Sequence, residues 1–348
     1  MSSDTQAAST RPTLSVVIAT YGRARYVRQA VLAALYQDLE PDEVVVSDDC
    51  SPDDTLDVLA GIARLDPRLR VVANPVNSGG VPNWNRVIDA SNGDLIAWCS
   101  DDDFFLPHHL RIMARCFEED PKLGMVHGGF LNLNDYGDVR LPEVGPGIIS
   151  KRPFELYGAE VLDHIIRQRS YPFQPSTMVF RRELWRDVGP FDPGFALADT
   201  DWFIRAGLRW RVAYVPCCSA VNRRHGSNWS LKVGSVGMHR EFHAMMCRHL
   251  AEAAARFPSA PVKGMRRRWL LSHSETLARI YVSRCRAGWF DVADEALTQI
   301  LRVWGLAEDS RVERVIRRFA RPLARSLRAM QSVLPGGKAK YEATNFPR

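Results

Sequence analysis

The chain reads as an α/β protein: a Rossmann-like, mostly parallel sheet flanked by helices, followed by an α-helical C-terminal extension. Three observations predict this. Short β-branched runs alternate with helix-period segments through the first hundred or so residues, which implies right-handed βαβ crossovers and a sheet covered on both faces. Polar clusters follow directly on the apolar runs, where open parallel sheets bind their ligands. Beyond about residue 236 strand signals stop while helical periodicity continues.

The elements follow in order. "LSVVIAT" (14–20) is a strand, and after it Val27, Ala30, Val31, Ala34 and Leu35 recur at helical spacing. Residues 43–47 form a second strand, with Ser51 expected to cap the next helix, Pro52 at its first position and Asp54 three residues past the cap. A third strand spans 69–73, a helix opens at Pro82 and closes at Asn92-Gly93, and a fourth strand spans 94–99. A helix over 107–119 and a strand over 124–129 come next. Residues 130–172 show weak periodicity and many turn formers, so an irregular connection covering a site is expected. Residues 176–193 read as a strand leading to a short helix, and 211–216 as a closing strand. Between them a helix over 199–209 carries Asp199 and Asp201 in its first turn, near the positive helix end. Far along the chain, 311–330 sets an apolar stripe among arginines, with Pro322 as a kink. The expected organisation is a disordered lead-in (1–12), a sheet domain (13–235), a helical region (236–335) and a disordered tail (336–348).

The 348 residues are 46% hydrophobic and 25% charged, close to the globular average, so neither wholesale disorder nor a disulfide scaffold is indicated. Seven cysteines, an odd number without C-x-x-C spacing, fit reduced thiols. No apolar run approaches the roughly 20 residues of a membrane span, and the polar N-terminus lacks a signal-peptide core, so a cytoplasmic protein is expected. The net charge of +6 is uneven: arginines concentrate after residue 262, and aspartates in the first hundred residues. Nucleic-acid binding would use the arginines but leaves the aspartates of the first hundred residues unexplained, and no aromatic-basic strand pattern accompanies them, so no nucleic-acid partner is expected.

"CSDDDFFLP" (99–107) crowds Asp101, Asp102 and Asp103 at the end of the fourth strand. Adjacent carboxylates repel, and burying them uncompensated costs several kcal/mol, so they call for water, cationic side chains or a divalent metal. Magnesium and manganese bind through one or two carboxylates together with substrate phosphates. Three aspartates alone could equally be a solvated turn before a helix. Their strand, however, is expected to share a crevice with Thr20 to Arg23 and with Asp48-Asp49.

Taken in order, "SVVIATYGRARYVRQAVLAAL", "EVVVSDDCSPDDT", "NSGGVPNWNRVIDASNGDLIAWCSDDDFFLP" and "LADTDWFIR" resemble the GT-A glycosyltransferases of family 2 over roughly residues 13–230. Those are inverting enzymes that use nucleotide-sugar donors. The resemblance implies that Thr20, Tyr21, Arg23 and Asp49 hold the base and ribose. Asn85 and Arg86 would border the nucleotide, near Asn77, Gly79, Gly80 and Asn83. The family's D-x-D falls on Ser100-Asp101-Asp102, with Ser100 in place of the first Asp. Asp102 is then the ligand of a divalent metal (Mn2+ or Mg2+), and Asp101 meets the ribose or a metal-bound water. His225 in "NRRHGSNWS" is implied as a metal or diphosphate partner. Ala198 replaces the usual Glu ahead of the general base, which falls on Asp199, with Asp201 as runner-up. Gln174, Ser176, Asp201 and Arg224 are implied as acceptor or sugar contacts. Trp202, on the same helix as Asp199, reads as core. The partners implied are a nucleoside-diphosphate sugar and a glycan or lipid-linked acceptor, in bacterial surface polysaccharide or glycolipid synthesis. The basic C-terminal helices suggest peripheral contact with the inner face of the cell membrane; packing on the catalytic domain or a dimer contact would use the same stripe. A non-catalytic nucleotide-sugar-binding or scaffold relative is the alternative.

Overall fold

The computed structural model describes residues 11–134, 139–140, 150–168, 173–226, 228, 235–287 and 289–303. The arginine stripe at 311–330, the tail from 336 and most of the lead-in lie outside these. The chain divides into two compact units, Met1–His225 and Gly226–Arg348.

The first unit is built on one sheet with ten strands among the described residues. In chain order its elements are β1 (Leu14–Thr20), α1 (Ala24–Leu35), β2 (Glu43–Asp48), α2 (Thr55–Ala63), β3 (Leu69–Ala73), α3 (Gly80–Ala90), β4 (Leu95–Trp98), β5 (Phe104–Phe105), α4 (His109–Glu119) and β6 (Leu123–Asn134). Then come β7 (Val139–Arg140), β8 (Phe154–Leu156), α5 (Ala159–Gln168), a 3-10 turn (Pro175–Thr177), β9 (Val179–Arg181), α6 (Arg182–Val188), α7 (Ala198–Arg209) and β10 (Arg211–Arg224). The order across the sheet is β3-β2-β1-β4-β9-β6-β10-β5, with β7 on β6 and β8 on β10. The first four strands are parallel, so the ends of β1, β2 and β4 open on one edge. β9 runs antiparallel to both β4 and β6, which makes the far half mixed.

The period-two alternation of the strands sorts their side chains into two cores. Val16 and Ile18 of β1, Val44 and Val46 of β2 and Ala97 of β4 pack with Val27, Val31 and Leu35 of α1, Leu59 of α2, and Leu110, Met113 and Phe117 of α4. The opposite face carries an aromatic cluster in which Trp202 of α7 lies 4.8 Å from Phe180, 5.7 Å from Trp185 and 5.3 Å from Phe191, ring centre to ring centre. Trp98 of β4 reaches the same cluster through Phe191 and Trp84. Trp202 is fully buried, and its indole N–H donates to Gly189 O at 2.9 Å, which is the core role expected of it.

Several boundaries move from their expected places for local reasons. α2 starts at Thr55 because Ser51 is otherwise engaged: its amide and hydroxyl both donate to the Asp48 carboxylate, and its Oγ accepts from Gly22 N–H. Asp53 takes over as a junction, accepting from Thr55 and from Ala24 N–H at the start of α1. α3 starts at Gly80, two residues ahead of Pro82. The stretch 130–172 is more ordered than its weak periodicity implied, since β6 runs on to Asn134 and both β8 and α5 fall within it. β10 continues to Arg224, eight residues past the expected stop, because its parallel pairing with β6 survives register shifts around Cys218. None of the six described cysteines forms a disulfide.

The second unit is helical, with α8 (Ser235–Arg256), α9 (Val262–Ala287) and α10 (Phe290–Val303). Val236, Tyr281, Ala293, Ala296, Leu297 and Leu301 form its core. Among the described residues no helix is long and apolar enough to cross a membrane.

Candidate active site

The open edge of the parallel strands collects the polar clusters, and each is fixed by a distinct network. At the end of β2, Asp49 is buried and accepts from Ser78 N–H (3.0 Å to each oxygen), Ser78 Oγ (2.8 Å), Gly79 N–H (2.8 Å) and Asn74 Nδ2 (2.8 Å). Burial pushes this carboxyl upward, but those donors outweigh it and hold Asp49 below the usual aspartate range. Gly79 has φ +91°, a left-handed conformation that suits glycine and turns its amide onto Asp49. Asn83 on α3 completes the knot, bonding Ser47, Asn74 and the Thr20 carbonyl. Arg86 joins from outside at Asn74 Oδ1. Thr20 is buried at the end of β1, Tyr21 beside it is 48% exposed, and the Thr20 carbonyl also accepts from Asp49 N–H at 3.0 Å.

At the end of β4 the three aspartates diverge. Asp101 turns toward Arg23, whose Nε lies 4.0 Å from Oδ1. Asp102 turns toward the end of β10, where its Oδ2 lies 3.0 Å from His225 Nε2. Asp103 points inward and is 3% exposed. It accepts from Arg223 N–H (2.8 Å), Ser176 Oγ (2.6 Å) and Gln174 Nε2 (3.0 Å). The Arg223 guanidinium donates to the Asp102 carbonyl at 3.0 Å and lies over the rings of Tyr26 and Phe104. Tyr26 of α1 also stacks on His225, centroids 4.7 Å apart and planes 20° apart.

Burial first, and then the Asp102 charge, push Asp101 and Asp103 up from the usual aspartate range to about 7. Such crowding is what a divalent cation at the Asp102–His225 pair would relieve, and an aspartate oxygen beside an imidazole nitrogen is a donor set that manganese accepts. Among the described residues no group of three or more His, Cys, Asp or Glu side chains converges on one point. The pair would supply two positions of such a cation's shell.

Asp199 stands half-buried on the first turn of α7, its Oδ1 2.7 Å from Thr200 N. Other expected residues have partners within the fold. Asp201, the runner-up base and possible sugar contact, is 1% exposed and paired with Arg205 at 2.8 Å, while Arg205 also closes on the Val188 and Pro190 carbonyls. This carboxylate fastens a loop inside the fold. Asn85, expected beside the nucleotide, gives both ends of its amide to the Phe191 backbone at 2.9 Å. Ser176, expected to touch a sugar, is fully buried: its Oγ donates to Asp103 and accepts from Ser100 N–H at 3.0 Å. Gln174 is held between Asp103 and Asn222. Arg224 is exposed at the end of β10 and bonds Asn132. The sequence reading passed over Asn74, Ser78, Asn222, Arg223 and Tyr26. Asn74 could have been found as the polar residue directly after a strand; Tyr26 has no such signal, since it looks like any residue of an amphipathic helix.

A family model described as glycosyl transferase family 2 matches residues 15–189, half of the chain. The chain belongs to glycosyl transferase family 2. An uncharacterised glycosyltransferase of Bacillus subtilis, YwdF, is 29% identical over 213 residues, covering 60% of this family 2 chain and 73% of that one. Among solved structures, Staphylococcus aureus TarS 1–349 in complex with UDP superposes with a TM-score of 0.60 at 18% identity, covering 91% of this chain and 87% of that one. The mannosyltransferase PcManGT of Pyrobaculum calidifontis, in complex with GDP-Man and Mn2+, superposes with a TM-score of 0.53 at 16% identity, covering 93% and 85%. At these identities the likeness carries the fold, which is the GT-A fold of family 2 glycosyltransferases, and the chain is a glycosyltransferase.

Proposed function

We propose that this glycosyltransferase moves a sugar from a nucleoside-diphosphate donor to a hydroxyl of a glycan or lipid-linked acceptor, with a divalent cation and with inversion at the anomeric carbon. The observation that carries the reading is the Asp102–His225 pair, 3.0 Å apart beside Asp101–Arg23 at the end of β4. The ligands named for the two solved relatives, UDP in one and GDP-Man with Mn2+ in the other, support a nucleotide sugar and manganese here.

In this reading Asp49, Thr20, Tyr21 and Arg23 line the nucleoside end. A bound Mn2+ or Mg2+ at Asp102 and His225 would neutralise charge on the leaving diphosphate. Asp199 takes the proton of the acceptor hydroxyl while that oxygen attacks the anomeric carbon, opposite the breaking bond to the diphosphate. A bacterial surface polysaccharide or glycolipid is the acceptor class proposed, reached at the inner face of the cell membrane.

A donor screen reading free nucleoside diphosphate tests this. One of the UDP-, GDP- or dTDP-sugars should be turned over in the presence of Mn2+, and Asp199→Asn should lower kcat about 100- to 10,000-fold while leaving nucleotide binding intact. Full turnover by the variant would remove Asp199 from the role of base.

A further inference from the structure

Asp103 directly follows the residue assigned to the metal, yet it faces the interior and makes no use of the site. Its two carboxylate oxygens are divided between two elements. Oδ1 accepts the Arg223 amide at 2.8 Å, at the end of β10. Oδ2 accepts Ser176 Oγ at 2.6 Å and Gln174 Nε2 at 3.0 Å, in the segment that contains the 3-10 turn. The connection closes on itself, because Ser176 Oγ also accepts Ser100 N–H at 3.0 Å and the Arg223 guanidinium donates to the Asp102 carbonyl at 3.0 Å. The loop that carries Asp102 is thus bonded on both sides of Asp102, and the strand end it is bonded to carries His225 two residues beyond Arg223. β5 and β10 share only two ladder pairs, Phe105 with Ala220 and Phe104 with Val221. Beyond them, the Asp103 carboxylate bonded to the Arg223 amide holds the two segments in register.

We propose that Asp103 is the positioning residue that seats Asp102 against His225, by tying the loop after β4 to the last residues of β10 through the Arg223 amide. It touches neither donor nor acceptor; it sets the distance between the two metal-binding side chains. The proposal rests on the assignment of Asp102 and His225 to the metal. The isosteric Asp103→Asn exposes the dependence. In one orientation its NH2 meets the Ser176 hydroxyl and the Gln174 NH2, both donors to the carboxylate; in the other it meets the Arg223 N–H. Either way an acceptor is lost and a donor is opposed, with little change of volume.

The test has a metal-free part and a metal-dependent part. In metal-free protein, hydrogen exchange of peptides spanning 99–106 and 219–226 should speed up in Asp103→Asn while peptides of β1 and β2 stay as in the unaltered chain, which also shows that the variant folds. In the second part, Mn2+ is titrated against the thermal stabilisation by UDP, GDP or dTDP. The Mn2+ concentration for half-maximal effect should rise about 10- to 100-fold in Asp103→Asn, the range seen when groups that orient metal ligands are lost. Saturating Mn2+ should restore the stabilisation, whereas Asp102→Asn should abolish it at every concentration. Should Asp103→Asn disrupt the fold, Ser176→Ala, which removes one of the bonds that hold the Asp103 carboxylate, at Oδ2, should show the Mn2+ shift in weaker form. Faster exchange with unchanged Mn2+ dependence would reduce Asp103 to a stability residue and overturn the proposal, as would no change in either. If the unaltered chain shows no Mn2+-dependent stabilisation with any nucleotide, the metal assignment fails. The exchange data then still report whether Asp103 ties the two segments.

Discussion

At the scale of single residues, three adjacent aspartates do three different jobs because their backbone turn sends them to three neighbours. Asp101 faces Arg23, Asp102 faces His225, and Asp103 is locked inside. Asp49 is set apart from them by its donors. Asp49→Asn replaces one acceptor oxygen with an NH2 that opposes either Gly79 N–H or the Ser78 hydroxyl and Asn74 amide, and should cost about 1–3 kcal/mol of stability besides weakening nucleotide binding, as chemical denaturation and calorimetry would show. A buried histidine gives a pH prediction. His127 lies among Phe154, Phe203 and Tyr214, and neither ring nitrogen has a hydrogen-bond partner among the described residues. Burial, with His164 adding to it, pushes its pKa down from 6.5 to about 3. The folded state therefore keeps His127 neutral while the unfolded chain protonates, so stability is full above about pH 6.5 and falls as pH drops toward 3. At pH 5.5 the loss from this one group is about 1 kcal/mol relative to pH 7.5. His127→Leu should reduce the difference between urea midpoints at those two pH values, and an unchanged difference would contradict the assignment.

At the scale of elements, the parallel half of the sheet was legible in the sequence because β1, β2 and β4 are continuous apolar runs buried on both faces while α1 to α4 each bury one periodic face. The far half was less so. β8 has three residues, too few for an alternating pattern to stand out, whereas α5 was passed over although Val161, Leu162, Ile165 and Ile166 recur along it at helical spacing. β10 appeared to stop at Pro216 because a proline in a strand usually marks its edge, and here the chain continues past it through register shifts. The polar residues showed a similar limit. Asp102 and Asp199 could be proposed from motif position, but whether a side chain faces a site or braces one depends on partners distant in sequence. The partners that hold Ser176 and Asn85 could not be read locally for that reason: Asp103 and Phe191 lie 73 and 106 positions away from them. Two substitutions test the packing. A Cβ on Gly93 would sit 2.5 Å from Ser15 N, so Gly93→Ala should force β4 away from β1 and cost about 1–3 kcal/mol. Trp202→Ala should cost about 3–5 kcal/mol by emptying the centre of the aromatic cluster. Both are read from urea denaturation, and a loss below 1 kcal/mol for Trp202→Ala would mean that the cluster does not organise this face.

At the scale of the whole molecule, the family 2 sheet supplies rigid strand ends, and the chemistry-bearing residues sit just past them: Asp49 after β2, Asp101 to Asp103 after β4, His225 after β10. The helical unit from Gly226 onward adds α8 to α10. The ends of β4 and β10 are proposed to form a cation-dependent nucleoside-diphosphate site. Calorimetric titration of UDP, GDP and dTDP, each with and without Mn2+, tests it most directly. At least one nucleotide should bind in a Mn2+-dependent manner, and Asp102→Asn should remove the Mn2+ dependence. Binding of equal strength with and without the cation, or retention of the Mn2+ effect by Asp102→Asn, would contradict it.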